Sequence, residues 1–421
     1  MKRFFIVLSF LLSTIINMNL SGQNFDYRYY ESPAVSWNGI TMHDSRQLSM
    51  GGISLAADGH SMQIANPAFF SDKKGVEIGF SHNYLLYQSF QYWGINEGVR
   101  RYQDPFSERK IFHSSIAIRL GFNDWSLTTG WYRSALNDFP DFTLRSEYDH
   151  DQFQYFKGTF SGFDEIYFVS FGITLSSKLT AGIKIEYKRG TRNTQIENFS
   201  SLYFFLDGYW QLKDKRSVYS ESNISGTFIP ELGFIFNINS RLKAGLTIKY
   251  PIRGKVDREI IRSLSNSDGL NIYDNYLYTD DHYDVPVLSA GILYDAEEVK
   301  IFRSSGKLIV GAELEFRKWS DYRYIFYGEE HAREVVDTFK FSAGAEYVKK
   351  LKKFDLLFRI GLGLDRQPVV DPGTVLKIIS TGLGIKYKGV STGIGISYIH
   401  GSTGGSNQGH LLVCTSLSKI L

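Results

Sequence analysis

Cys414 is the chain's one cysteine, and its nine histidines are scattered. No disulfide can form within the chain, and a thiolate metal site lacks ligands. His150-Asp151 and Asp280-Asp281-His282 have no partner at ligand spacing. Asp274, Asp280, Asp281 and Asp284 have the oxygen ligands a divalent cation needs. The better reading is a solvated acidic loop, and no metal site is expected. Gly361-Leu362-Gly363 and Gly382-Leu383-Gly384 are followed by strand patterns, not by the helix a phosphate cradle requires. No catalytic residue, no cofactor and no enzyme activity are therefore expected. What remains is apolar binding. Phe199, Leu202, Tyr203, Phe204, Phe205, Leu206, Tyr209 and Trp210 crowd one otherwise polar stretch. Such a run is costly in water and would make a greasy groove for a ligand. The plainer reading is packing onto a rim or a membrane surface. Phe153, Tyr155, Phe156, Phe160 and Phe163 carry the same two readings.

The elements around these residues alternate with period two. Leu179, Ala181, Ile183, Ile185 and Tyr187 oppose Thr180, Gly182, Lys184, Glu186 and Lys188. Leu242, Ala244, Leu246, Ile248 and Tyr250 oppose Lys243, Gly245, Thr247 and Lys249. Phe339, Phe341, Ala343, Ala345 and Tyr347 oppose Lys340, Ser342, Gly344 and Glu346. About fourteen strands are expected, starting near Gly75, Ser114, Trp125, Glu165, Leu179, Gly226, Arg241, Pro286, Lys307, Phe339, Phe354, Leu376, Val390 and Gly409. Short connections, such as Asn123-Asp124 and Lys388-Gly389, alternate with long polar and aromatic ones, such as Ser134 to Asp164 and Gly190 to Ser225. Loop asymmetry sustained over so many strands marks a transmembrane antiparallel β-barrel rather than a soluble sandwich. An even strand number places both termini on the short-turn, periplasmic side.

The apolar faces would meet lipid and end in aromatics, including Tyr187, Tyr250, Phe316, Tyr347 and Tyr387. The other faces carry Lys184, Glu186, Glu231, Lys243, Lys249, Glu313, Glu315, Arg317, Lys340, Glu346, Arg359 and Lys386. Charges of both signs can pair across a lumen or hold a plug; lumen packing and solvation is the favoured reading for any one of them. A barrel of this size leaves an interior too wide for side chains to fill.

Lys2 and Arg3, then the apolar run Phe4 to Ile16, then small residues make residues 1–23 a secretory signal peptide. Its removal takes the basic residues from 47 to 45 against 44 acidic ones, a balance that argues against nucleic acid as partner. Residues 24–74 are long enough to enter the lumen, and 75–421 form the barrel. Within the first of these, Met50 to Asp58 is small and apolar, with Gly51 and Gly52 at its start. Asn66-Pro67-Ala68 then breaks regular structure, because proline lacks the ladder donor.

This segment resembles the N-terminal hatch of the FadL/TodX family, outer-membrane barrels that import long-chain fatty acids and hydrocarbons. Pro230 to Phe234 through Tyr250 to Gly254 is similar to that family's central hairpin, and Phe358 to Gly363 with Pro368-Val369 to its late strands. Ser418-Lys419-Ile420-Leu421 departs from the terminal aromatic of many such barrels. The resemblance implies a hatch containing Gly51, Gly52, Asp58, Asn66, Pro67 and Ala68. It also implies a monomer in the outer-membrane lipid bilayer, taking up a long-chain hydrophobic small molecule through a loop groove, a lumen pocket, and hatch movement or a lateral opening of the wall. The alternative is a PorV-like barrel that binds a protein partner in type IX secretion.

Overall fold

Alternating strands cannot end in lipid with open edges, because no water is there to satisfy the edge amides. In this chain, a computed structural model, the strands close on themselves. The structure describes residues 44–56, 62–69, 74–92, 110–135, 139–149, 152–202, 204–206, 209–211, 214–252, 254–266, 271–282, 285–301, 304–321, 324–326, 329–331, 336–366, 368, 375–403 and 406–421. Residues 1–23, expected as a signal peptide, lie outside them, as do Asp58 and Tyr203.

The wall is a closed antiparallel barrel of 14 strands. They are β1 (Gly75–Tyr92), β2 (Lys110–Gly121), β3 (Trp125–Ala135), β4 (Gln152–Ser176), β5 (Leu179–Leu202), β6 (Asp214–Asn237) and β7 (Leu242–Lys249). There follow β8 (Val287–Ile301), β9 (Ser304–Arg317), β10 (Thr338–Lys350), β11 (Asp355–Arg366), β12 (Val375–Tyr387), β13 (Val390–Thr403) and β14 (Ser406–Ile420). Each strand pairs with the next, and β14 closes onto β1 from Ile420↔Glu77 to Ser406↔Tyr92. The strand count matches the sequence pattern. Several starts do not: β4 begins at Gln152 and β6 at Asp214, well before Glu165 and Gly226. Those polar stretches were expected as loops. They instead continue the ladder beyond the apolar band, where Phe139–Asp149, Gly254–Asn266 and Asn271–His282 add further pairing. A mixture of polar and aromatic side chains on both faces does not prevent pairing once the strand below has fixed the register.

Outward residues are apolar and exposed: Val169 by 54 %, Ile185 by 49 % and Ile292 by 53 %. Only a lipid exterior makes such a continuous band favourable. Tyr187 and Tyr250 end it on the long-loop side, and Tyr294 and Tyr387 on the short-turn side. The short-turn rim is made tightly. Lys388 and Gly389 take positive φ, 42° and 80°, between the paired Tyr387 and Val390, the two-residue hairpin turn whose twist suits flanking strands.

Candidate functional site: a segment seated in the barrel lumen

Residues 44–56 and 62–69 are enclosed by the wall, and most of their side chains are buried. The first piece is a helix, α1 (Ser45–Ser49), closed at both ends. Asp44 caps it, its carboxylate accepting from the Gln47 amide at 2.6 Å. At the other end Gly52 N–H donates to Gln47 C=O at 2.9 Å and Gly51 N–H to Leu48 C=O at 3.3 Å. That is a Schellman ending, which needs positive φ; Gly51 has 77°. A 3-10 turn (Ser54–Ala56) follows, and then the short helix α2 (Met62–Ala65). Asn66-Pro67-Ala68-Phe69 is a turn. Phe69 N–H donates to Asn66 C=O, and Ala68 N–H to the Asn66 side chain, both at 2.9 Å. Of the residues expected in a hatch, Gly51 and Gly52 thus close the end of α1, and Asn66, Pro67 and Ala68 form the turn after α2.

The wall receives these bends with glycines. Gly172, Gly182 and Gly233 are ladder partners across β4, β5 and β6, as are Gly344 and Gly361 across β10 and β11, and Gly382 and Gly395 across β12 and β13. All face inward. A methyl group at Gly182 would overlap the Pro67 carbonyl; at Gly172 it would lie 2.8 Å from the same oxygen, and at Gly344 2.6 Å from the Met50 oxygen. Backbone can approach a strand this closely only where no Cβ intervenes. The period-two pattern had placed Gly182, Gly245 and Gly344 on the inward face without assigning them a role. Glycines recurring at mid-strand on one face were the available signal.

Polar groups pin the segment around its circumference. Arg46 reaches Glu346 with two bonds, Nη2–Oε1 at 2.8 Å and Nε–Oε2 at 3.0 Å, and Arg359 Nε meets the same carboxylate at 2.7 Å. All three side chains are buried. Glu313 accepts from Ser54 N–H at 2.9 Å and from its hydroxyl. Lys184 donates to the Ile64 carbonyl, and Thr128 to Gln63. Ser380 takes Gly51 N–H at 3.1 Å and donates to Ser49 C=O at 3.0 Å. Glu313, Glu346 and Lys184 therefore hold the inserted segment, a role the favoured reading of lumen packing had not given them. Arg46, Ser54 and Gln63, their partners, had no periodic signal and were not singled out.

Toward the long-loop side lies a cavity of about 200 Å3, lined by five basic and five acidic side chains. They pair with one another. Lys184 lies 3.0 Å from Glu186 and 2.9 Å from Glu231, Lys249 lies 2.7 Å from Glu186, and Lys188 lies 3.0 Å from Asp164. Tyr132 donates to Glu186 at 2.9 Å. Desolvated charges persist only in such mutual company. Away from this cavity the lumen holds an apolar cluster. Leu48 of α1 packs with Leu376, Ile378, Ile399, Leu412 and Cys414 of β12 to β14. Beside Leu412 the wall is irregular: β1 slips register between Leu85 and Tyr87 against β14, and between Asn83 and Tyr84 against β2. Bulges interrupt a ladder and weaken it locally.

The aromatic groove residues lie elsewhere. Phe199 and Leu202 belong to the far end of β5, while Phe204–Leu206 pairs with Tyr209–Gln211 in a separate two-stranded hairpin that carries Phe204, Phe205, Leu206, Tyr209 and Trp210. Their side chains lie outside the described residues.

This architecture has solved counterparts. The CymD monoaromatic hydrocarbon channel superposes with a TM-score of 0.61 at 13 % identity, covering 91 % of this chain and 98 % of that one. The Pseudomonas putida toluene transporter TodX gives 0.59 at 14 %, covering 90 % and 98 %. A Pseudomonas aeruginosa FadL homologue gives 0.62 at 12 %, covering 90 % and 99 %. These likenesses establish the FadL/TodX type of barrel fold. Among curated proteins, none matches the chain in sequence. Sequence kinship comes from a family model described as BamG, which matches residues 1–410, nearly the whole barrel with the segment inside it; the chain belongs to the BamG family.

Proposed function

We propose that this protein is an outer-membrane channel for passive uptake of long hydrophobic compounds, fatty acids or hydrocarbons. In this reading residues 1–23 are removed on export, 24–74 are the plug, and 75–421 are the barrel. The protein is a monomer with both termini in the periplasm, and no catalysis is involved. One observation carries the reading: the apolar seam of Leu48, Leu376, Ile378, Ile399 and Leu412 abuts the interrupted β1 ladder. A passenger without polar groups gains nothing from the charged cavity, where it would separate paired ions from their solvation. Along the seam it exchanges water for hydrocarbon, about 0.8 kcal/mol per methylene. From there a sideways exit through the irregular wall needs no opening through the pinned plug. That CymD is a hydrocarbon channel and TodX a toluene transporter supports the same class of cargo.

The test is to purify the protein from outer membranes and identify bound small molecules by mass spectrometry, beside a Phe204→Asp/Phe205→Asp variant. A long-chain acid or hydrocarbon retained by the protein and lost by the variant is the expected result, and it would place the loop groove. A barrel carrying no hydrophobic compound would overturn the proposal.

A further inference from the structure

The short-turn rim is unevenly charged. Along the arc from β10 through β14 to β1, the turns and strand ends carry Lys349, Lys350, Lys352, Lys353, Lys386, Lys388, Lys419 and Lys74. Among the described residues of these turns the one acid is Asp355, in register with Lys350 on one side and Lys386 on the other. Around the rest of the rim the signs mix: Lys178, Arg241, Lys243 and Lys307 stand against Asp124 and Asp295, and Lys307 is paired with Asp295.

Direction matters more than number. Lys349 follows Tyr347 on the outward face of β10, and Lys419 follows Leu417 on that of β14. Both extend the lipid-facing rows by one step beyond the apolar band. The Lys388 ammonium stands 5.4 Å over the ring of Tyr387, itself exposed on the outer face. Leu351 is exposed between the lysine pairs of its turn. Lysines beneath an aromatic girdle, with an exposed leucine between them, sit where headgroups meet acyl chains. A soluble acidic partner would be met by side chains aimed along the barrel axis. Lys388 also occupies a turn position at φ 42°, which asparagine or glycine fills with less strain.

We infer that this arc binds the headgroups of anionic glycerophospholipids in the leaflet that surrounds the short-turn rim. The inference rests on the membrane-spanning reading of the barrel but not on its cargo. The phosphates supply counter-charges to an arc whose described lysines outnumber its acid, and the lysines supply short-range attraction to them.

The full barrel would be reconstituted in nanodiscs of phosphatidylethanolamine with phosphatidylglycerol, and the retained lipids counted by native mass spectrometry. The test variant is Lys349→Gln/Lys352→Gln/Lys353→Gln/Lys388→Gln. The control is Lys178→Gln/Arg241→Gln/Lys243→Gln on the opposite arc. Each lysine near an anionic surface is worth about fivefold in affinity, so the test variant should lose phosphatidylglycerol preference by at least about tenfold. The control should keep it, and the four corresponding Lys→Arg changes should restore it. A heat-shifted band on cold gels verifies that each barrel is folded. No preference in the unmodified protein, or equal loss in test and control, would sink the inference. So would failure of arginine to rescue in a folded barrel. None of these outcomes bears on whether a hydrophobic passenger is carried.

Discussion

Glu346 ties the inserted segment to the wall through charge. It answers two buried guanidiniums, Arg46 from α1 and Arg359 from β11. Removing either arginine leaves the carboxylate with the other. Removing the carboxylate takes from both arginines, in a dry site, the one acidic partner they share. Breaking a buried pair so that a charge stands alone costs about 3–5 kcal/mol, far more than an exposed pair contributes. Glu346→Ala should therefore lower the urea midpoint of the reconstituted barrel clearly more than Arg46→Ala does. Arg46→Ala should act mainly on the segment, speeding proteolysis between residues 44 and 69 while the barrel stays folded. Equal midpoints for the two variants would show that Glu346 is not the shared partner. The Glu313 contact with Ser54 is a milder version, because one carboxylate serves a neutral serine and its amide.

Secondary-structure elements explain both what could be read in advance and what could not. Strands such as β5 and β10 were legible because one face meets lipid and the other does not, so composition alternates at the strand period. The break at Asn66-Pro67 was legible too, since proline lacks the ladder donor, whereas Gly51-Gly52 was legible only as part of a small, apolar stretch and not as a helix ending. Arg46, Ser54 and Gln63 were not legible. Each is an ordinary polar residue in an irregular segment, given meaning only by wall residues hundreds of positions away in some cases. The strand extensions beyond the apolar band were likewise hidden, as polar and aromatic residues mix on both faces instead of alternating. The glycine seat lies between these cases, visible as a pattern but without a stated partner. It yields a direct test. A methyl at Gly361 points into the Gly51 amide and the Met50 carbonyl carbon, both backbone, while its own ladder bonds are untouched. Overpacking of this kind typically costs about 1–3 kcal/mol. Gly361→Ala should leave a folded barrel with a displaced segment, seen as ion conductance in planar bilayers above that of the unchanged protein. Conductance equal to the unchanged protein would mean that the seat is more forgiving than its geometry indicates.

At the scale of the whole molecule, the lumen holds a charged cavity and, apart from it, an apolar cluster, and a slipped stretch of the β1–β14 ladder adjoins the cluster. The closing seam makes this testable with the chain's own thiol. Cys414 of β14 lies opposite Asn83 of β1 as a ladder partner, both buried on the inner face, just below the register slip between Leu85 and Tyr87. Antiparallel partners stand about 4.5–5.5 Å apart at Cα, within disulfide range. Asn83→Cys should therefore form an intramolecular disulfide that staples β1 to β14 at the irregular segment. A passenger leaving sideways needs those strands to part. Uptake of a labelled hydrophobic compound by vesicles should then fall several-fold in the oxidised variant and return on reduction. The unmodified protein should be indifferent to both treatments, because its single thiol has no partner to bridge. If the stapled barrel carries cargo at the unchanged rate, the route lies elsewhere. The inserted segment itself must then move, and the Arg46–Glu346–Arg359 triad becomes the barrier that the passenger has to open.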